Sequence, residues 1–147
     1  MERALESART VAVLGIKPES RRELDAHQIP LYLQQVGYTV LPVPVRYPEA
    51  DRILGVPVYR RISDLPTPLD ILNVFCKPAD FDRYVADAIC LGPHVVWFQS
   101  GLLDPSAAVT LRRAGVVVAE DCIGCRRATL SPSWAPLAGQ SRTPPCR

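Results

Sequence analysis

Two apolar runs flank a helical pattern in one stretch: Val95-Val96-Trp97-Phe98, then Asp104-Pro105 onward, then Gly115-Val116-Val117-Val118-Ala119. The first run is apolar at every position, as a strand covered on both faces must be. Asp104 is a candidate N-cap, Pro105 takes the first helical position, and Gly115 follows the last turn. Ala107, Ala108, Leu111 and Ala114 lie on one face at helical spacing. Strand, helix, strand in this order is the crossover unit of a parallel sheet.

The same alternation continues upstream. Thr10-Val11-Ala12-Val13-Leu14 reads as a buried strand that Gly15 ends. Ile29 to Val36 reads as a helix starting close to Pro30, because an interior proline breaks the hydrogen-bond ladder. Gly37 closes it. Thr39-Val40-Leu41-Pro42-Val43 is the second strand, ending near Pro44. Residues 44–69 show no long period, and Ile53 to Tyr59 reads as a turn with a short extended piece. Asp70-Ile71-Leu72-Asn73-Val74-Phe75 is the third strand. Pro78 opens a helix with Phe81, Val85, Ala88 and Ile89 on one face, and Gly92-Pro93 stops it. The expected fold is α/β: a Rossmann-like, doubly wound parallel sheet of about five strands in a single domain.

The 147 residues suffice for one such domain, with 48% hydrophobic and 22% charged side chains. Up to Asp121 the chain carries 13 basic against 15 acidic residues, hence −2; beyond it stand four arginines and no acid, hence +4. Half of the last 20 residues are Pro, Ser, Gly or Thr. Residues 1–127 are therefore expected to form the domain and residues 128–147 a disordered, basic, Pro/Ser-rich tail. No apolar run approaches the ~20 residues of a membrane span, and residues 1–6 lack a signal-peptide core. The odd cysteine count fits reduced thiols, and the expected location is the cytoplasm.

An open parallel sheet binds ligands beyond the carboxyl ends of its strands. There the sequence places Gly15-Ile16-Lys17, then Pro44 and Arg46, then Phe75 and Lys77, then Gln99-Ser100-Gly101. The chain's two lysines and Arg46 share this edge, as a ligand with several phosphates requires. His27 stands before the first helix, near the first loop. Neither G-x-G-x-x-G nor a P-loop occurs. No carboxylate follows the second strand, and Arg46 stands there instead. This disfavours NAD and admits a phosphorylated ribose, as in NADP or coenzyme A.

In order and spacing the segments resemble the small stand-alone CoA-binding domains, related to the N-terminal domain of the succinyl-CoA synthetase α subunit. The resemblance spans about Thr10 to Arg127. It rests on Val11-Ala12-Val13-Leu14-Gly15, on Tyr32-Leu33 through Gly37 to Val43, on Ile53 to Tyr59, on Val74-Phe75, on Val96 to Gly101, and on Ala114 to Val118 with Cys122. It implies that the Gly15 loop, with Ile16 and Lys17, meets the pyrophosphate; His27, by its position near that loop, is a further candidate donor to a phosphate. It implies that Pro44 and Arg46 meet the 3′-phosphoadenosine. Phe75, Lys77, Gln99, Ser100 and Gly101 would line the remaining groove. The chain departs from relatives at Ile16-Lys17, where Ala-Ser is common, at Ala26, where a serine is common, and at Glu120-Asp121. Asn73 and Cys76 stand where an aspartate and an arginine are common.

Other chemistry finds less support. Cys122-x-x-Cys125 is a single pair, short of the four ligands of a zinc site, and reads as two thiols near the domain's end. His27 reads as an exposed helix-start residue if it holds no phosphate, and His94 as structural. Ser20 and Ser100 have no evident base. Trp97 and Phe98 read as core. The pairs Arg21-Arg22, Arg60-Arg61 and Arg112-Arg113 read as solvated faces. The expected function is non-catalytic binding of CoA or an acyl-CoA. The alternatives are a small NADP-binding oxidoreductase and a regulatory nucleotide-binding module. A nucleic-acid partner is not expected, while a protein partner or a homodimer stays open.

Overall fold

A computed structural model describes residues 2–130. Its strands are β1 (Thr10–Leu14), β2 (Thr39–Val43), β3 (Arg52–Ile53), β4 (Val56–Pro57), β5 (Ile71–Val74), β6 (Val95–Phe98) and β7 (Val117–Glu120). Five form one parallel sheet in the order β2-β1-β5-β6-β7. The helices are α1 (Glu2–Ser7), α2 (Asp25–Gln35), α3 (Pro78–Phe81), α4 (Val85–Leu91), α5 (Pro105–Arg113) and α6 (Ile123–Ala128). The expected Rossmann-like parallel sheet of five strands is what the chain forms.

The uninterrupted apolar runs are explained by two cores, one on each face. Ala12, Leu14, Leu72, Val74, Val96 and Phe98 point to one face, where α4 and α5 supply Val85, Ala88, Ala107 and Leu111. Val11, Val13, Ile71, Val95 and Trp97 point to the other, where α1, α2 and α6 supply Leu5, Ile29, Leu33 and Ile123. Side chains alternate along each strand, so a strand buried on both faces must be apolar throughout.

Helix α2 starts at Asp25, well before Pro30, which lies inside it. Its N-cap, Leu24, makes no side-chain cap hydrogen bond, so the usual polar start signal is missing. The segment from Pro78 is α3, a 3-10 turn over Asp82–Tyr84, and α4, rather than one helix. Gly92 closes α4 in the left-handed conformation. Residues 52–57 form the β3–β4 hairpin, and beyond it the Tyr59 N–H donates to Pro42 O on the outer edge of β2 at 2.8 Å.

Helices α1 and α6 carry no signal that the sequence made plain. Helix α6 runs to Ala128, one residue into the stretch expected to be tail, and Leu130 packs on the core. The rest of that tail, residues 131–147, lies outside the described residues. No helix among the described residues is long and apolar enough to cross a membrane.

Candidate functional site at the β1/β5 switch point

The strand order reverses between β1 and β5, so the crevice of this sheet lies beyond their carboxyl ends. Leu14 and Val74 are paired there. Gly15 follows with φ +92°, and its α-carbon is pressed against the opposite loop. A β-carbon at Gly15 would lie 3.3 Å from Cys76 N, from the Phe75 carbonyl carbon and from Phe75 Cβ. The glycine is needed for both its backbone angle and its closeness. Neighbouring strands pass the ladder across this rim: Gly15 N–H donates to Val43 O, Phe75 N–H to Leu14 O and Gln99 N–H to Val74 O.

The loop after β1 is held by α2. Lys17 N–H donates to Ala26 O at 3.1 Å. Lys17 O lies 2.8 Å from His27 Nδ1. A carbonyl only accepts, so Nδ1 carries the proton. His27 is 4% exposed, which corrects the expectation of an exposed helix-start residue. Because α2 starts at Asp25, His27 sits in its first turn and faces inward. With its backbone fixed, Lys17 places Nζ 5.3 Å from the centroid of the Tyr47 ring, on the loop after β2. Such a cation–aromatic contact contributes ~0.5–1 kcal/mol at an exposed site.

Tyr47 was not among the expected site residues. Its backbone has φ 69°, in the left-handed region that glycine usually occupies, and no sequence pattern announces that. The loop it begins is held by Arg60, which donates to the carbonyls of Tyr47 at 3.3 Å, Pro48 at 3.0 Å and Ala50 at 2.6 Å. Arg60 is exposed, as its reading as a solvated face expects, and from there its guanidinium serves the protein's own backbone. Arg46 lies in the same loop and is exposed, while Pro44 is buried.

The remaining expected residues occupy the same edge, with different duties. Phe75 is half-buried, and Lys77 is exposed at the N-cap of α3. The Ile16 side chain is 1% exposed and belongs to the α2-side core. Gln99 is 8% exposed, and its Oε1 accepts from Ile123 N–H at 3.1 Å, at the start of α6. Ser100 and Gly101 are exposed, and Gly101 N–H donates to Glu120 Oε2 at 3.1 Å. The structure thus brings Gly15, Lys17, His27, Tyr47, Phe75 and Cys76 together. Gln99 to Gly101 stand at the end of β6, three strands from β2, or ~14 Å at the usual spacing.

Cys76 is the thiol nearest the crevice and is 6% exposed. Burial above all, with Asp80 beside it, pushes this thiol up to about 12. It stays protonated and a poor nucleophile at neutral pH. Asn73, beneath the rim, is fully buried, and its Nδ2 donates to Trp97 O at 3.0 Å. Among the described residues no cluster of His, Cys, Asp or Glu could hold a metal ion. A cavity of about 740 Å³ opens at the opposite, amino edge, beside Arg9, Gly37 and Tyr38. It lies away from the switch point, where ligands of open sheets bind.

Residues 9–128 match the model of a family described as CoA binding domain. The chain is 28% identical over 120 residues to the uncharacterized protein YneT of Bacillus subtilis (strain 168), covering 81% of this chain and 85% of that one. The solved structure of cell-free ID.343 from Thermus thermophilus superposes with a TM-score of 0.76 at 34% identity, over 84% of this chain and 91% of that chain. A hypothetical protein from Pyrococcus horikoshii OT3 superposes with a TM-score of 0.75 at 30% identity, over 84% of each chain.

Proposed function

The chain belongs to the CoA binding domain family, and from that premise we propose that it binds coenzyme A or an acyl-CoA at the β1/β5 switch point without transforming it. The observation that carries this reading is the placement of Lys17. Its backbone is fixed by Ala26 and His27, and its ammonium sits over Tyr47, between the loops after β1 and β2. A diphosphate crossing the crevice would meet Gly15 and Lys17. Arg46, exposed one residue from Tyr47, would meet the ribose 3′-phosphate. Lys77, after β5, adds a third cation on the edge. The protonated, buried Cys76 supports binding over thiol chemistry.

Isothermal titration of CoA and dephospho-CoA against wild type and Arg46→Glu tests this. Charge-assisted contacts contribute ~1.5–3 kcal/mol, so Arg46→Glu should weaken CoA at least ~tenfold. Dephospho-CoA should bind wild type more weakly and respond much less to the substitution. Equal binding of both ligands by wild type removes Arg46 from the phosphate. Binding of NADP with no binding of CoA overturns the ligand and favours the oxidoreductase reading.

A further inference from the structure

We propose that Arg60 is the positioning residue of this ligand rim, a clamp that holds Tyr47 where it meets Lys17. The proposal rests on the reading of the β1/β5 crevice as the CoA site. An aromatic residue at φ 69° is unfavourable for an L-amino acid, so its neighbours must impose it. The turn bond from Ala50 N–H to Tyr47 O is one constraint. The Arg60 guanidinium is the other, and it reaches the carbonyls of Tyr47, Pro48 and Ala50 at once. Its planar fork can span three acceptors, which a lysine ammonium on a flexible stem does poorly.

The base of the clamp is itself fixed. Val58 N–H donates to Asp51 O and Tyr59 N–H to Pro42 O, so the segment leading to Arg60 is bonded both to the end of the loop and to β2. The chain of contacts runs from β2 through Tyr59 to Arg60, then to Tyr47, then to Lys17. Removing the fork leaves Lys17 held by α2 but releases the loop after β2 that carries Arg46 and Tyr47. Binding must then order that loop, and affinity falls by the ordering cost.

The chain has two lysines, Lys17 and Lys77, so ¹³C-lysine labelling gives a simple spectrum. The tyrosine ring should shift the Lys17 ε-methylene signal upfield of that of Lys77. In Arg60→Gln this shift should collapse, as in Tyr47→Leu, and CoA affinity should fall about three- to tenfold. Arg60→Lys, which keeps the charge and the stem but not the fork, should do the same; its added lysine does not obscure the upfield signal. In a Tyr47→Gly background, where φ 69° is unstrained, Arg60→Gln should have little further effect on affinity. An unchanged Lys17 signal in either Arg60 variant overturns the clamp, as does unchanged CoA affinity. Equal losses in both backgrounds place the action of Arg60 elsewhere. If wild type binds no CoA, the site reading fails by itself, and the Lys17 signal still decides whether Arg60 sets the loop.

Discussion

The Lys17 N–H donates to Ala26 O at 3.1 Å. Pro30, four residues beyond Ala26, explains this bond. A helical carbonyl at Ala26 expects the N–H of residue 30, and proline has none. Lys17 supplies the missing donor from outside the helix. An interior proline normally costs ~3 kcal/mol relative to alanine. Pro30→Ala should return less than that, by the ~0.5–1.5 kcal/mol that a hydrogen bond contributes, because the new N–H competes with Lys17. The Lys17 amide should exchange faster in the variant. A full ~3 kcal/mol gain with unchanged Lys17 exchange would show that the bond contributes nothing.

The same proline marks the limit of what the sequence discloses. The strands were legible because burial on both faces demands apolar residues at every position, as in Val95 to Phe98. Helix α5 was legible because Asp104 accepts from Ser106 N–H, as an N-cap should. Helix α2 hid its start because Leu24 caps nothing and an interior proline such as Pro30 argues against an earlier turn. The answer lay in Lys17, on another segment. At the site, the glycine and the cations were visible as residue types at strand ends. Tyr47 and Arg60 were not, since a left-handed tyrosine and an arginine spent on backbone carbonyls depend on tertiary contacts. The burial of His27 follows from the hidden helix start.

Gly15→Ala should damage the rim directly. At φ +92° a side chain is strained, and the new methyl would meet two backbone atoms and Phe75 Cβ at 3.3 Å. Backbone strain of this kind costs ~1–3 kcal/mol. Thermal unfolding should shift down by several degrees, and CoA affinity should fall as the β1 and β5 loops separate. A variant with wild-type melting temperature and affinity would mean that the two loops do not need this approach.

Acid should weaken the fold through Asp70. Burial acts to raise its carboxyl, but Arg9 N–H, Thr10 N–H and the Thr10 hydroxyl all donate to it and prevail. Its folded value therefore lies below the ordinary 3.8. A depressed carboxyl contributes stability above its unfolded value and loses it as pH falls through the folded one. Asp121, lowered chiefly by its hydrogen bond from Arg126, adds to the same trend. Urea midpoints should drop between pH 6 and pH 3, and Asp70→Asn should reduce that drop. An identical drop in the variant would remove Asp70 as a cause.

Gln99 separates a residue that binds from one that holds the rim. Its Oε1 accepts from Ile123 N–H, and Cys122 Sγ accepts from Cys125 N–H in the same first turn. Helix α6 has six residues and packs Ile123 into the core beside α2, and Asp121 holds the same turn by accepting from Cys122 N–H and from Arg126. Gln99→Leu keeps the bulk and removes the acceptor. An orphaned buried N–H costs ~1–3 kcal/mol, so the melting temperature should fall by several degrees. CoA affinity, measured well below the transition, should stay within about twofold, since ~1.4 kcal/mol of lost ligand contact would be needed for a tenfold change. Arg46→Glu should show the reverse pattern, with affinity lost and stability kept. If Gln99→Leu loses CoA tenfold at unchanged stability, Gln99 contacts the ligand, and the bound molecule extends across the end of β6.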